Sequence, residues 1–248
     1  MTPALRVTEE IFALFPDAVL GVVTAQGIDN TGDGAGLAGP LRQEEERVRA
    51  TLAGVQISEH PHIAPWREAY RRFGAKPKDH PSSIENLARR VLKGWTVPHV
   101  NPLVELYNTI SLRHLLPVGG EDLDRVQGDV LLALATDREA PVHLLGDPEA
   151  RPPKPGEVIY RDELGTLCRR WNWKEAERTK LTAETRNAVL VIETLPPAGR
   201  DLVERAGDEL AALIREHCGG EVRVALIDRE HPSAPLAWNP FPPENAAP

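Results

Sequence analysis

Residues 101–129 read NPLVELYNTISLRHLLPVGGEDLDRVQGD, and how this stretch is parsed decides the rest of the chain. Asn101 suits an N-cap, because its side-chain oxygen can take an orphan amide of the first turn. Pro102 suits the first helical position, where no N–H is needed. Leu103, Leu106, Ile110 and Leu115 form an apolar stripe at helical spacing. Asn108, Ser111 and His114 share another flank, and Pro117 stops the helix. Gly119 and Gly120 then predict a tight turn open to close ligand approach, followed by acidic Asp122-Leu123-Asp124 and a strand. The expectation is a helix delivering polar side chains to a glycine turn. A plain surface helix with a tight turn fits the same pattern.

Outward from this segment, the N-terminal half alternates short strands and helices. A strand at Leu5–Val7, a helix at Glu9–Phe15 and an apolar, β-branched strand at Ala18–Ala25 open the chain. Gly27–Gly39 reads as a glycine-rich loop; it has no Gly-Lys-Ser/Thr ending and no nucleotide fingerprint. A charged helix is expected at Pro40–Leu52. An amphipathic one at Pro61–Phe73 carries Ile63, Trp66, Ala69, Tyr70 and Phe73 on one stripe. Ser82-x-x-Glu85 is a capping box for a third helix. The second half is strand-rich: Asp129–Ala135, Pro141–Leu145, Val158–Tyr160, Gly165–Cys168, Asn187–Glu193 and Glu221–Ile227, with a helix over Arg200–His217 ended by Gly219-Gly220. Short connections favour antiparallel pairing. The fold class expected is α+β, a mainly antiparallel or mixed sheet flanked by helices. Residues 1–230 are read as one domain, with 1–60 a strand–helix lobe packed on it, and 231–248 as an extended or disordered proline-rich tail.

Composition bounds the function. The chain has 248 residues, 41% hydrophobic and 27% charged, ordinary globular values. No apolar run approaches the roughly 20 residues of a membrane span, and the N-terminus lacks the signature of a signal peptide. Two cysteines, Cys168 and Cys218, imply no disulfide framework and point to the cytoplasm. A net charge of −8 argues against unspecific coating of nucleic acid. The charge is uneven, however. Residues 67–93 hold eight basic against three acidic side chains, and residues 169–180 five against two. If these islands meet, Arg71, Arg72, Lys76, Lys78, Arg89 and Arg90, with Arg169, Arg170 and Arg178, make a cationic surface suited to an RNA end. Solvated helix faces would explain them equally well.

No HExxH, Gly-x-Ser-x-Gly, CxxC or paired Cys/His spacing is present. His60-x-His62 lacks nearby carboxylates, so no metal and no cofactor is implied; a metal-dependent hydrolase acting on a small ester or amide would need metal there. Cys168 reads as a buried structural thiol. In the motif CRRWNWKEAERTKLT, Cys168–Thr182, Trp171 and Trp173 alternate around Asn172 as on a strand. The indoles can wall an amino-acid pocket or stack on a base, or one can belong to the core. Without an acid–base dyad, the accessible chemistry is cleavage of an activated ester by orientation and electrostatics.

Two motifs carry a resemblance. Asn108, then Pro117 nine residues on, then Asp122-Leu123-Asp124 leading to a strand, is one; Thr185-x-Asn187 followed by AVLVI and Glu193 is the other. Together they resemble the editing module of the bacterial phenylalanyl-tRNA synthetase beta subunit, formed by that subunit's third and fourth domains. The similarity runs from about Ser82 to near His217 and is firmest between Asn101 and Glu193. It implies a freestanding module that hydrolyses a mischarged aminoacyl-tRNA in trans, with the tRNA acceptor end as partner, no membrane, and the oligomeric state open. Asn108, Ser111, Gly119, Gly120 and Asp122 would form the hydrolytic site, although Asp122 can simply cap the turn. Asn101, Trp171, Asn172, Trp173 and Glu193 would contact substrate. A silent tRNA- or amino-acid-binding module of the same fold is the alternative. The departures are specific: the family's pocket His falls on Gly119, its pocket Arg near Pro98 or His99, and its tyrosine-reading Glu on Val191, two residues before Glu193. His99 and His114 are the nearby residues that could compensate. Tyrosine specificity is therefore not implied.

Overall fold

The computed structural model describes residues 3–32 and 36–236. Its elements in chain order are β1 (Ala4–Val7), α1 (Glu9–Leu14), β2 (Val19–Gln26), α2 (Ala38–Thr51), α3 (Ala64–Arg72), α4 (Ser83–Leu92), α5 (Pro102–His114), β3 (Val118–Asp122), β4 (Val130–Leu134), β5 (Val158–Asp162), β6 (Gly165–Arg169), β7 (Lys174–Glu175), β8 (Asn187–Thr194), α6 (Arg200–His217), β9 (Glu221–Ile227) and β10 (Ser233–Pro235). They build two sheets, of strand order β10-β1-β4-β5-β6-β7 and β3-β8-β2-β9. Every pairing is antiparallel except β1 with β4.

Layering follows from side-chain alternation along the strands. On β8, Val189 and Val191 face the six-stranded sheet and pack with Leu5, Leu132, Val158, Tyr160 and Leu167. Ala188, Leu190 and Ile192 face the other way, against Leu103, Leu106 and Ile110 of α5 and Leu210 and Ile214 of α6. The four-stranded sheet is thus covered on both faces, which explains the near-continuous apolar run of β2 at its centre. Gly21 of β2 is required by close approach: a Cβ there would stand 2.7 Å from Val203 of α6. A third apolar cluster joins α2, α4 and α5 through Leu41, Val48, Ile84, Val91 and Leu112.

Helix starts obey the local signals. Asn101 Oδ1 accepts from Val104 N–H at 3.1 Å, and Ser82 Oγ accepts from Glu85 N–H at 3.4 Å. Helix α5 ends at Leu115, whose φ of 53° breaks the helical path before Pro117 is reached. Three expectations are corrected. Gly119-Gly120 is not a turn but the middle of β3, paired with Val191 and Leu190. Residues 141–145 form no strand, only isolated bridges at Val142 and Leu144. The Trp171–Trp173 segment is the turn joining β6 to β7 rather than a strand, with Arg170 and Trp171 at φ 50° and 64°. Beyond β9, residues 233–235 add a strand beside β1. The remainder of the tail, 237–248, lies outside the described residues, as do residues 33–35 of the glycine-rich segment.

Candidate functional site

The layer between the two sheets is open at one end. There β3 and β8, the β6–β7 hairpin and the helices α4 and α5 enclose a cavity of about 410 Å³. Its position follows from β3. Because alternate residues share a face, Gly119 and Glu121 look toward the six-stranded sheet beside Val191 and Val189. A glycine at 119 leaves a groove in that wall, and Glu175 of β7 fills it. A Cβ at Gly119 would stand 2.7 Å from Glu175 Oε1. Gly120 N–H donates to the same oxygen at 3.3 Å. Gly120 is fixed from the opposite face, where a Cβ would meet Leu190 at 2.4 Å and the Val189 carbonyl at 2.7 Å.

Three carboxylates line this cavity: Glu121, Glu175 and Glu193. Burial pushes the Glu175 carboxyl up to about 7. It holds Glu121 well above the usual carboxylate range, and the neighbouring Glu175 charge acts in the same direction. Glu193 is 3% exposed. Its carboxyl also rises to about 7 through burial, against the hydrogen bonds of Tyr160 and Asn172, which favour its charged form. Those bonds belong to a chain of neutral groups. Tyr70 O–H donates to Asn172 Oδ1 at 2.9 Å, Asn172 Nδ2 donates to Glu193 Oε2 at 2.6 Å, and Tyr160 O–H donates to Glu193 Oε1. A buried acid held by neutral donors near pH 7 exchanges its proton under ordinary conditions.

The residues expected from sequence divide clearly. Asn108, Ser111, Gly119, Gly120, Trp171, Asn172, Trp173, Glu193 and Arg90 all line the cavity. Asn108 makes no side-chain hydrogen bond among the described residues, whereas Ser111 Oγ is already engaged, donating to the Leu116 carbonyl at 2.7 Å. Trp171 is fully buried, packed on Phe15 and Trp66 at 4.9 and 5.0 Å between centroids. Trp173 lies half-buried between His80 at 4.6 Å and the Arg170 guanidinium at 4.4 Å.

Two residues stand elsewhere. Asn101 is a buried cap whose Nδ2 donates to the Leu181 carbonyl. Asp122 caps the short 3₁₀ turn 123–125 and accepts from Thr185 Oγ1 at 2.8 Å. His99 and His114 do not compensate from nearby: they pair with Glu105 and with Glu209, away from the cavity.

The two cationic islands do meet. Ser83 N–H donates to the Asn172 carbonyl, and His80 packs on Trp173, bringing α4 against the 170–173 turn. Arg90 and Lys174 stand in the cavity wall. Lys76 and Lys78 are exposed, and Arg71 is an exposed partner of Glu68 at 3.1 Å. Arg72 donates to the Leu14 carbonyl, and Arg89 pairs with Glu85 at 2.7 Å. Two arginines counted toward this surface are structural instead. Arg169 is buried in a bidentate pair with Glu157 at 2.8 Å, and Arg178 grips Asp162 with both terminal nitrogens.

Glu121, Glu175, Tyr107 and Tyr160 escaped the sequence reading. The signal for Glu121 was its two-residue spacing from Gly119, which carries meaning only once the glycines are placed on a strand. Among the described residues no group of three or more His, Cys, Asp or Glu has metal-binding geometry, and no helix is long and apolar enough to cross a membrane. Both cysteines are free and buried.

Comparison with known proteins gives a matching family and similar solved structures. A family model described as the B3/4 domain matches residues 65–219. No curated protein matches. Among solved structures, the chain is similar to an N-terminal fragment of the phenylalanyl-tRNA synthetase beta-subunit from Pyrococcus horikoshii, at 13% identity and a TM-score of 0.46. The alignment covers 88% of this chain and 50% of the fragment, so the chain spans about half the fragment's length.

Proposed function

This chain belongs to the B3/4 domain family of the phenylalanyl-tRNA synthetase beta subunit, and on that premise we propose that its cavity hydrolyses the ester of a mischarged aminoacyl-tRNA, acting in trans. The observation that carries the reading is Glu193, a buried carboxyl in the cavity wall, pushed to about 7 and bonded only to neutral donors. In its ionised form the carboxylate takes a proton from a bound water as that water attacks the acyl carbon. The leaving ribose oxygen then receives the proton, so that carboxylic acid and alcohol result. The unengaged amide of Asn108 is the group that would hold the ester carbonyl as negative charge builds on its oxygen.

The dimensions agree with this use. A cavity of about 410 Å³ falls in the range of small-molecule sites and accommodates an aminoacyl group. Carboxylates inside suit an α-ammonium, and cations on the rim suit the phosphates of an acceptor end.

The deciding experiment presents purified full-length chain with tRNAs carrying a panel of radiolabelled noncognate amino acids. Wild type is expected to release one or a few of them. Glu193→Gln should lower the rate about 100-fold, within the usual range for loss of a general base. No release from any member of the panel, with tRNA still bound, would identify a binding module instead.

A further inference from the structure

We propose that Glu121 and Glu175 form a subsite for a cationic side chain, so that the acyl group this cavity accepts is that of a basic amino acid. The inference rests on the deacylase reading for its substrate and on cavity geometry for its specificity. Glu121 is 8% exposed, lines the cavity, and leaves its Oε2 without a hydrogen-bond partner. Glu175 has the Gly120 N–H as its hydrogen-bond partner. Among the described residues neither carboxylate makes an ion pair, and the Arg178 charge acts on Glu121 only from a distance. Lys174 pairs with Asp147, Arg178 with Asp162 and Arg169 with Glu157, while Arg90 stacks over Trp95 at 5.1 Å.

An unpaired acid withdrawn from water is costly, and the cost is relieved by a ligand that supplies the missing charge. An ammonium or guanidinium between Glu121 and Glu175 would do so. An aromatic or aliphatic side chain would leave Oε2 unsatisfied. Glu193 offers a second, separate acceptor. Glu121 pairs across β3–β8 with Val189, four residues before Glu193, so the two acids lie about 13 Å apart along the strand. One cavity therefore presents two anionic positions, fit for a ligand with two cationic groups: the α-ammonium and a basic side chain.

The test has two arms on the full chain. In the first, tRNAs charged with lysine, ornithine and arginine are compared with those charged with norleucine, phenylalanine and tyrosine. The basic esters should be hydrolysed at least about tenfold faster, as expected for a hydrogen bond to a charged group. Glu121→Gln should erase that preference, with Glu175→Gln as a second variant should the first fail to fold. Faster release of neutral side chains, or a preference that survives both variants, would overturn the subsite. The second arm needs no turnover: calorimetric binding of lysine methyl ester against norleucine methyl ester. Selective binding of the lysine ester with no tRNA hydrolysis would sink the deacylase reading and leave the subsite standing. Equal binding of the two esters would sink the subsite alone.

Discussion

At the scale of single residues, the chemistry turns on acids held out of water. Glu193 is faced by Tyr160 from β5, by Asn172 and Trp171 from the β6–β7 turn, and by the Cys168 thiol near Tyr160. Its carboxyl rises from 4.5 to about 7 on folding. The folded chain therefore binds the extra proton between those values, and stability falls as pH climbs through the window. Glu193 should favour the folded state by about 3 kcal/mol more at pH 4.5 than at pH 7.5. Chemical denaturation across that range measures this, and Glu193→Gln should flatten the slope. A slope unchanged in the variant would show that Glu193 is not the titrating group. Hydrolysis, if Glu193 is the base, should rise through about pH 7. The glycines give a second pair of expectations. Gly120→Ala meets Leu190 and the Val189 backbone and should cost about 1–3 kcal/mol in stability. Gly119→Ala meets only the mobile end of Glu175, so it should stay folded while displacing that carboxylate; thermal melts of the two variants separate the cases.

At the scale of elements, the β6–β7 hairpin matters most. Its turn places two successive residues, Arg170 and Trp171, at positive φ, a backbone shape that L side chains adopt at a cost. The turn persists because Trp171 is anchored between Phe15 and Trp66, and that anchor aims Asn172 at Glu193. Trp171→Ala should lose about 3–5 kcal/mol and, through the turn, release Asn172 from the carboxylate. Beside it, Arg169 and Glu157 form a buried ion pair that ties β6 to the residue before β5. Breaking it by Arg169→Ala should cost about 3–5 kcal/mol by leaving Glu157 uncompensated. Affinity for tRNA, measured under conditions where the variant is folded, should not change. A selective loss of tRNA binding would return Arg169 to the RNA surface.

At the scale of the whole molecule, a chain of net charge −8 brings two cation-rich segments together beside the cavity. Lys76, Lys78 and Arg90 come from one segment, and Arg170 and Lys174 from another about 80 residues later. If this rim receives an RNA end, a triple variant of Lys76, Lys78 and Arg90 to Glu should weaken tRNA binding. It should also flatten the dependence on salt, since fewer counterions would be released. Filter binding across a salt series reads both quantities; an unchanged slope would place the RNA contact on another face.

Much of this was legible in the sequence where the determining forces are local. Capping residues, proline positions and apolar periodicity act within a turn or two, so α4 and α5 start where Ser82 and Asn101 dictate, α6 spans its expected Arg200–His217, and β8 runs over its predicted apolar stretch. The Asn108–Asp124 and Thr185–Glu193 motifs likewise sufficed for the family. Other features depended on partners far away in the chain. Gly119-Gly120 reads as a turn in isolation and becomes a strand only when β8, about 70 residues later, supplies hydrogen bonds for its backbone. That pairing turns Glu121 inward, opposes it to Glu175 and sets Glu193 in the same wall. Arg169 and Arg178 show the converse: identical in sequence terms to solvent-facing cations, they are drawn into ion pairs, Arg169 buried and Arg178 half-buried, because Glu157 and Asp162 meet them there. The sequence by itself determined elements and family; the convergence of three carboxylates on one cavity was decided by tertiary structure, because desolvation and charge pairing act between side chains that only folding brings together.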